Sequence, residues 1–204
     1  MLDISTIVDL SDKLGIIQAV KSKLMRQPNE AADKLVLVLE EISKVYVAIE
    51  AELVRYLSLN FDPENDISEE RAVLLTLEGG QLQTRVGEAR GHCHKIGNIY
   101  FKYLQRWFDD VLNDAEAQMM SEVFEALSNA DMDMIGVLDQ QLVSWLAPLA
   151  TKTLDLVDAG EYDKANQYIR KARKAVLPQR RAISKAMSDI RNLQAEFIAM
   201  SETV

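Results

Sequence analysis

The residues whose types could carry chemistry lie close together at Glu88, His92, Cys93 and His94. Glu88 and His92 are four residues apart, so a helix would place both side chains on one face, as two ligands of a metal ion require. Cys93 would point about 100° away from each neighbouring histidine on the same helix. Because the side chains of Cys93, His92 and His94 diverge, we expect no metal site here. The sequence predicts no cofactor.

Motifs for nucleophilic catalysis and phosphate binding are absent from the sequence. It contains no Gly-x-Ser-x-Gly elbow and no glycine-rich loop after a strand. Cys93 falls among apolar positions of its helix, which predicts a buried thiol rather than an activated one. We therefore predict no catalytic residue and a protein that is not an enzyme.

The cysteine count and the first residues bear on the compartment. A single cysteine excludes an intrachain disulfide, and Asp3 and Asp9 stand where a signal peptide carries basic residues. We expect a cytoplasmic protein.

The elements that must position any site are helices, because apolar residues recur at spacings of three and four along nearly all of the 204 residues. The fold class predicted is all-α: an elongated antiparallel bundle of about six or seven helices with a long central helical hairpin. The predicted helices cover residues 3–27, 30–60, 68–112, 114–129, 131–159, 162–177 and 178–201. The third predicted helix is either continuous or broken near Gly79-Gly80. The central hairpin pairs the predicted helix 30–60 with the predicted helix 68–112. We expect one domain, 1–204, in which 1–27 is a separable amphipathic helix and 160–204 form a C-terminal helical hairpin.

The second predicted helix is the most apolar. One stripe runs from Leu35 to Tyr56, and further residues such as Leu37, Val47 and Val54 widen it. A stripe this broad is typical of a helix packed on more than one side. We expect this helix to form the core of the bundle.

Charge is distributed unevenly along the chain. The net charge is −9, but residues 61–158 carry −11 and residues 159–204 carry +4. Two interpretations are open: the acidic region 109–139 neutralises the basic one within the molecule, or the basic residues bind a charged partner. In the second case the partner-binding residues are Lys171, Arg173, Lys174, Arg180 and Arg181. Nucleic acid is a disfavoured partner, because the whole protein is acidic and no aromatic residues interleave with the basic ones.

An aromatic cluster covers residues 100–108. Its members occupy more than one face of the predicted helix, so they line the core, which is the favoured interpretation, or anchor a partner. Tyr103 and Trp107 are the candidate anchors.

Glycines align on the third predicted helix. Gly80, Gly87 and Gly91 would share one face, although each glycine within a helix costs about 1 kcal/mol relative to alanine. The alignment predicts a close approach by another helix of the bundle or by a second copy in a homodimer. The alternative is a break that forms a hinge or a ligand cleft bordered by Arg85, Arg90 and His94.

The stretch from Gly160 to Ala172 has a turn glycine, a tyrosine two residues later, and alanines at Ala165 and Ala172. This stretch resembles the middle of a tetratricopeptide repeat. No second copy lies 34 residues to either side, so the resemblance implies a tight helical hairpin around Gly160 and not an array of repeats.

The function predicted is a non-enzymatic protein–protein interaction, adaptor or regulatory domain with an unidentified protein partner. The alternative is a helical bundle that engages an anionic membrane through its N-terminal amphipathic helix. Asp3, Asp9 and Asp12 weaken that alternative, because anionic lipid would repel them.

Overall fold

A computed structural model describes residues 5–24, 30–78, 81–128 and 135–201, and almost all of them are helical. The described helices are α1 (Ser5–Leu24), α2 (Glu30–Leu57), α3 (Ser68–Glu78), α4 (Gln81–Ile99), α5 (Gln105–Val111), α6 (Asp114–Ser128), α7 (Ile135–Asp158), α8 (Tyr162–Ala175) and α9 (Leu177–Ser201). A π turn, Tyr100–Leu104, joins α4 to α5. The all-α bundle is confirmed. The predicted break near Gly79-Gly80 lies outside the described residues.

Helix α2 is the centre of the bundle. Its inward side, which includes Leu35, Leu39 and Leu53, is completely buried. At the far end the Tyr56 hydroxyl bonds the Thr153 hydroxyl of α7 at 2.8 Å. Thr153 itself donates to the Leu149 carbonyl, so Tyr56 is the donor in the first bond. Burial raises the pKa of Tyr56 to about 12, which keeps this donor protonated.

The central hairpin pairs α2 with α4 and not with the whole of 68–112. Glu41 of α2 contacts His92 of α4, and Lys34 of α2 lies 5.2 Å from the Tyr103 ring centre. Helix α3 packs chiefly on α7 instead. Its Arg71 pairs with Asp158 at 3.0 Å. Helix α3 packs into the core through its two buried residues, Leu74 and Leu77.

The π turn changes which aromatic residues face the core. The Gln105 N–H bonds the carbonyl of Tyr100, five residues back, so this turn holds one residue more than an α-helical turn. Leu104 therefore takes the buried position, and Tyr103, three residues after Tyr100, turns outward. An uninterrupted helix would have placed Tyr103 in the seam.

The chain reverses at Gly160 between α7 and α8. Gly160 has φ +73°, and the Glu161 N–H bonds the Leu156 carbonyl at 2.8 Å, a common way to satisfy the carbonyls at a helix end. Ala165 and Ala172 are buried on α8. The tight hairpin expected around Gly160 is present, and it pairs α8 with α7. Helix α9 leaves α8 at Val176 and packs on α2 and α1, so residues 160–204 do not pair along their length as the expected C-terminal hairpin.

Helices α1 and α9 pack against each other at one side of the bundle. Ile17, Val20 and Leu24 of α1 are buried, and Lys21 pairs with Glu196 of α9 at 2.7 Å. Lys23 of α1 reaches Glu116 of α6 at 2.5 Å. None of the helices described combines the length and the apolarity that a membrane crossing demands.

Candidate protein-interaction surface

The side of α2 that faces away from the core carries exposed apolar residues, with the exposed ion pair of Glu40 and Lys44 between Leu37 and Val47. Leu37, Val47 and Val54 are 42%, 50% and 39% exposed. Val47, Ala51, Val54 and Ser58 follow spacings of four, three and four, so all four lie along one line of the helix. We call this line with Leu37 the outer face of α2. It has the residue pattern of a helix seam and lacks a helix over it among the described residues.

Two antiparallel helices border the outer face. On one side lies α4, held by Glu41, which accepts a 2.6 Å hydrogen bond from His92 and lies 3.6 Å from Lys95. On the other side lies α9, whose Arg180 pairs with Glu50 and whose Gln194 donates to the Val36 carbonyl. Helix α2 is therefore the middle member of a three-helix layer.

The register of α9 adds apolar surface to this layer. Its two contacts with α2 are fourteen residues apart in both helices, from 36 to 50 and from 180 to 194. This antiparallel register sets Leu177 level with Leu53, and Ile198 level with Ala32 near the start of α2. Leu177 and Ile198 are both exposed, so α9 carries an exposed apolar residue near each end of α2.

Basic side chains surround the end of α2 near Val54. Arg55 is exposed beside it, and α8 is fixed to this end because Arg173 donates two hydrogen bonds to the Leu57 carbonyl. Six exposed cations of α8 and α9 have no hydrogen bond or ion pair to any described residue: Arg170, Lys171, Lys174, Arg181, Lys185 and Arg191. Arg191 lies nearer the other end of α9, and we call the remaining five the basic rim.

The predicted partner-binding residues divide into two groups. Lys171, Lys174 and Arg181 are exposed in the basic rim. Arg173 and Arg180 are used within the molecule, since Arg173 binds the end of α2 and Arg180 binds Glu50. These two hold α8 and α9 in place. A sequence shows a cationic side chain but not the carbonyl or carboxylate that the fold brings to it.

Trp107 is only 5% exposed, so the expectation that it anchors a partner is wrong and its place in the core explains why. Its ring centre lies 5.5 Å from that of Phe108, which in turn contacts Phe124 of α6. Tyr103 is exposed, but it lies against Lys34 and Lys102. A hydrogen bond from Lys102 lowers the pKa of Tyr103. The aromatic cluster thus belongs mainly to the core, as the favoured interpretation has it.

The two described glycines of the stripe, Gly87 and Gly91, have open space beside them. A side chain added at Gly87 or Gly91 would meet nothing within 4 Å among the described residues. Helix α4 is regular through both glycines, so the described part of the chain has no break there, and His94 is exposed beyond it. Gly80 and the side chains of Arg85 and Arg90 lie outside the described residues. Close approach by a second molecule stays a prediction.

Cys93, His92 and His94 have different surroundings. Cys93 is buried, and burial raises the pKa of its thiol to about 12, which removes the thiolate needed for nucleophilic attack. His92 binds Glu41 and His94 faces outward. Among the described residues no three histidine, cysteine or acidic side chains are placed to share a metal ion.

A polar cavity of about 350 Å³ lies between the π turn, α5 and α6. Its acidic residues are Asp109 and Asp114, and its other polar lining residues are Tyr100, Gln105, Gln118 and Ser121. Burial raises the pKa of Tyr100, whose hydroxyl bonds Ser121. The cavity is suited to a cationic or polar group.

Comparison with protein-family models, with curated proteins and with solved structures gives no significant match to this chain. The function therefore has to be argued from the surface just described.

Proposed function

We propose that this protein is a non-enzymatic interaction protein that docks an acidic amphipathic helix of a protein partner on the outer face of α2. The observation that carries the proposal is an exposed apolar seam, Val47, Ala51 and Val54, on a helix to which Arg173 and Arg180 attach the two helices that carry the basic rim. Exposed apolar surface with a polar border is typical of interaction sites.

The seam dictates the shape of the partner. Residues at spacings of four and three match one side of a second helix, whose apolar residues would lie along α2. Ala51 and Ser58 are small, so a partner helix can approach α2 closely at these two positions.

The rim dictates the charge of the partner. Near Val54 the exposed cations outnumber the exposed acids, because Glu50 is already paired with Arg180. Charges beside an apolar seam select the partner and its orientation. A helix with acidic residues flanking its apolar side satisfies both the seam and the rim.

Site-specific photo-crosslinking in the native host tests the proposal. A photoreactive residue at position 54 should give a crosslinked protein whose attachment point lies in an acidic helical segment. The matched control is position 75. Leu75 is an apolar residue with an exposed fraction similar to that of Val54, but it lies on α3, away from the seam. Arg181→Glu with Lys185→Glu should remove the product at position 54 while circular dichroism shows unchanged helicity.

Two results would contradict the proposal. Equal yields at positions 54 and 75 would mean that the seam has no specific partner. Co-sedimentation of the protein with vesicles of anionic lipid, lost on the same charge reversal, would assign the surface to a membrane. The membrane alternative through α1 makes a separate demand, since Ile17, Val20 and Leu24 would have to leave the core first.

A further inference from the structure

The outer side of α6 has the charge that the proposed partner helix needs and one exposed apolar residue. Asp114 and Glu122 are exposed on this helix, and Met119 is exposed one turn before Glu122. The preceding helix α5 adds exposed Asp109 and Asp110. We call these four carboxylates the acidic face. It is an acidic helix surface that carries an exposed apolar residue.

Helix α6 is a firmly built element. Asn113 accepts a hydrogen bond from the Glu116 N–H at 3.0 Å, and Glu116 accepts one from the Asn113 N–H at 3.2 Å. This reciprocal pair caps the helix. The hydrogen bond from Lys23 lowers the pKa of Glu116, so this carboxylate stays ionised and committed to α1. The acidic face beyond it remains available.

The acidic face and the basic rim do not neutralise each other within one molecule. Among the ion pairs of the described residues, Lys23 binds Glu116 and Arg180 binds Glu50, but none joins α5 or α6 to α8 or α9. The interpretation that the two charged regions pair internally is therefore not supported by the described part of the chain.

We propose that the acidic helix docked by the outer face is α6 of a second copy of this chain, so that copies associate head to tail. The inference rests on the proposed function and names its partner. The charge of the acidic face complements the basic rim, and Met119 supplies an apolar residue for the seam of Val47 and Val54. The cavity between α5 and α6 accepts a basic side chain of the neighbouring rim.

The proposed head-to-tail arrangement sets the symmetry. Each copy binds one neighbour through its acidic face and another through its basic rim, so the contact is heterologous and leaves a free surface at each end of the assembly. Association should continue beyond two copies as concentration rises.

The test is sedimentation velocity of the purified full chain over a concentration series, in about 0.05 M and about 0.5 M salt, because salt screens exposed charges. The wild type should form species larger than a dimer at low salt and dissociate at high salt. Two charge-reversal variants break the contact from either side: Arg181→Glu with Lys185→Glu, and Asp109→Lys with Glu122→Lys. Each should weaken association at least about tenfold, which is about 1.4 kcal/mol of binding free energy.

Mixing the two charge-reversal variants is the decisive experiment. Each retains the surface that the other has lost, so the mixture should associate again although each variant alone does not. The matched control is Glu64→Lys with Asp155→Lys, which makes the same charge change as the acidic-face variant on exposed residues elsewhere and should behave like the wild type. Circular dichroism of all variants establishes that they are folded.

Failure of this inference is separable from failure of the proposed function. A wild type that stays monomeric at every concentration and salt overturns self-association, and so does a control that dissociates as far as the two reversal variants. If position 54 still crosslinks to the acidic helix of a different protein, the outer face keeps its function and only its occupant changes. If position 54 gives no specific product either, both proposals are wrong.

Discussion

The two faces of α2 carry similar residues in different surroundings. Leu35 and Leu39 point inward and are fully buried, whereas Leu37, Val47 and Val54 point outward and are substantially exposed. The inward face meets α4, α7 and α9, while nothing in the described chain covers the outward one. The comparison teaches that the apolar content of a helix reflects all surfaces that it contacts, including those that belong to another molecule. A sequence shows how much of a helix is apolar but not which molecule covers it.

A matched pair of leucine truncations is the strongest test of the difference between the inward and outward faces of α2. Leu39→Ala removes a fully buried side chain and should lower the free energy of unfolding by about 2–5 kcal/mol. Leu37→Ala, two residues away on the outward face, should change it by less than about 0.5 kcal/mol. Urea denaturation of the monomeric protein at high salt measures both. Similar losses in the two variants would mean that the outward face is packed after all.

A smaller effect is expected at the inward hydrogen bond. Thr153→Val removes the acceptor for the buried Tyr56 hydroxyl and should lower the free energy of unfolding by about 1–3 kcal/mol. Adding Tyr56→Phe should recover part of that loss, because no donor is then left unpaired. Thermal denaturation of the single and double variants measures the difference, and a double variant less stable than Thr153→Val would refute the argument.

Glu41 and Glu40 lie at the border between the inward and outward faces of α2 and allow a second matched comparison. Burial raises the pKa of Glu41, but hydrogen bonds from Lys44 and His92 outweigh it, so the pKa lies below its usual value of 4.5. Glu41→Gln should therefore lower the free energy of unfolding at neutral pH by about 1 kcal/mol. Glu40→Gln should change it by less than about 0.5 kcal/mol, because Glu40 is an exposed partner of Lys44.

The sign of the pH dependence follows from the lowered pKa of Glu41. Its ionised form is favoured by folding, so its contribution is present above pH 4.5 and is lost as the pH falls below it. The difference in stability between the wild type and Glu41→Gln should shrink over that acid range. A difference that is constant from pH 7 to pH 3 would rule out the role of the charge.

The smallest effect on stability should come from the seam itself. Val47→Ser with Val54→Ser should change the free energy of unfolding by less than about 0.5 kcal/mol per site, since both side chains are exposed. The same variant should lose most of the crosslinking at a photoreactive residue placed at position 51, between the two valines. A large loss of stability without a loss of crosslinking would reverse the assignment of the two faces.

Much of the fold could be predicted because local signals mark the helix ends. Helix α2 begins at Glu30 and α3 begins at Ser68, where the predicted helices 30–60 and 68–112 begin. The turn at Gly160 follows from a glycine with positive φ. These features depend on a few adjacent residues, which a sequence displays directly.

The features that escaped prediction depend on distant residues or on a single extra one. The π turn shifts Tyr103 and Leu104 by one position, and nothing in their residue types marks such a shift. Arg173 and Arg180 look like any surface cation until the fold brings Leu57 and Glu50 to them. The basic rim was therefore predictable as a region, whereas its free members had to be distinguished by structure.

The contact between α1 and α9 has a consequence for synthesis of the protein. The Lys21–Glu196 pair joins residues 175 positions apart, so α1 cannot reach its place until nearly the whole chain has been made. At typical translation rates of about 5–20 residues per second, that interval is roughly 10–35 s. Throughout it, Ile17, Val20 and Leu24 have no α9 to cover them. The nascent chain therefore carries these apolar side chains of α1 without one of their covering helices until α9 has been made.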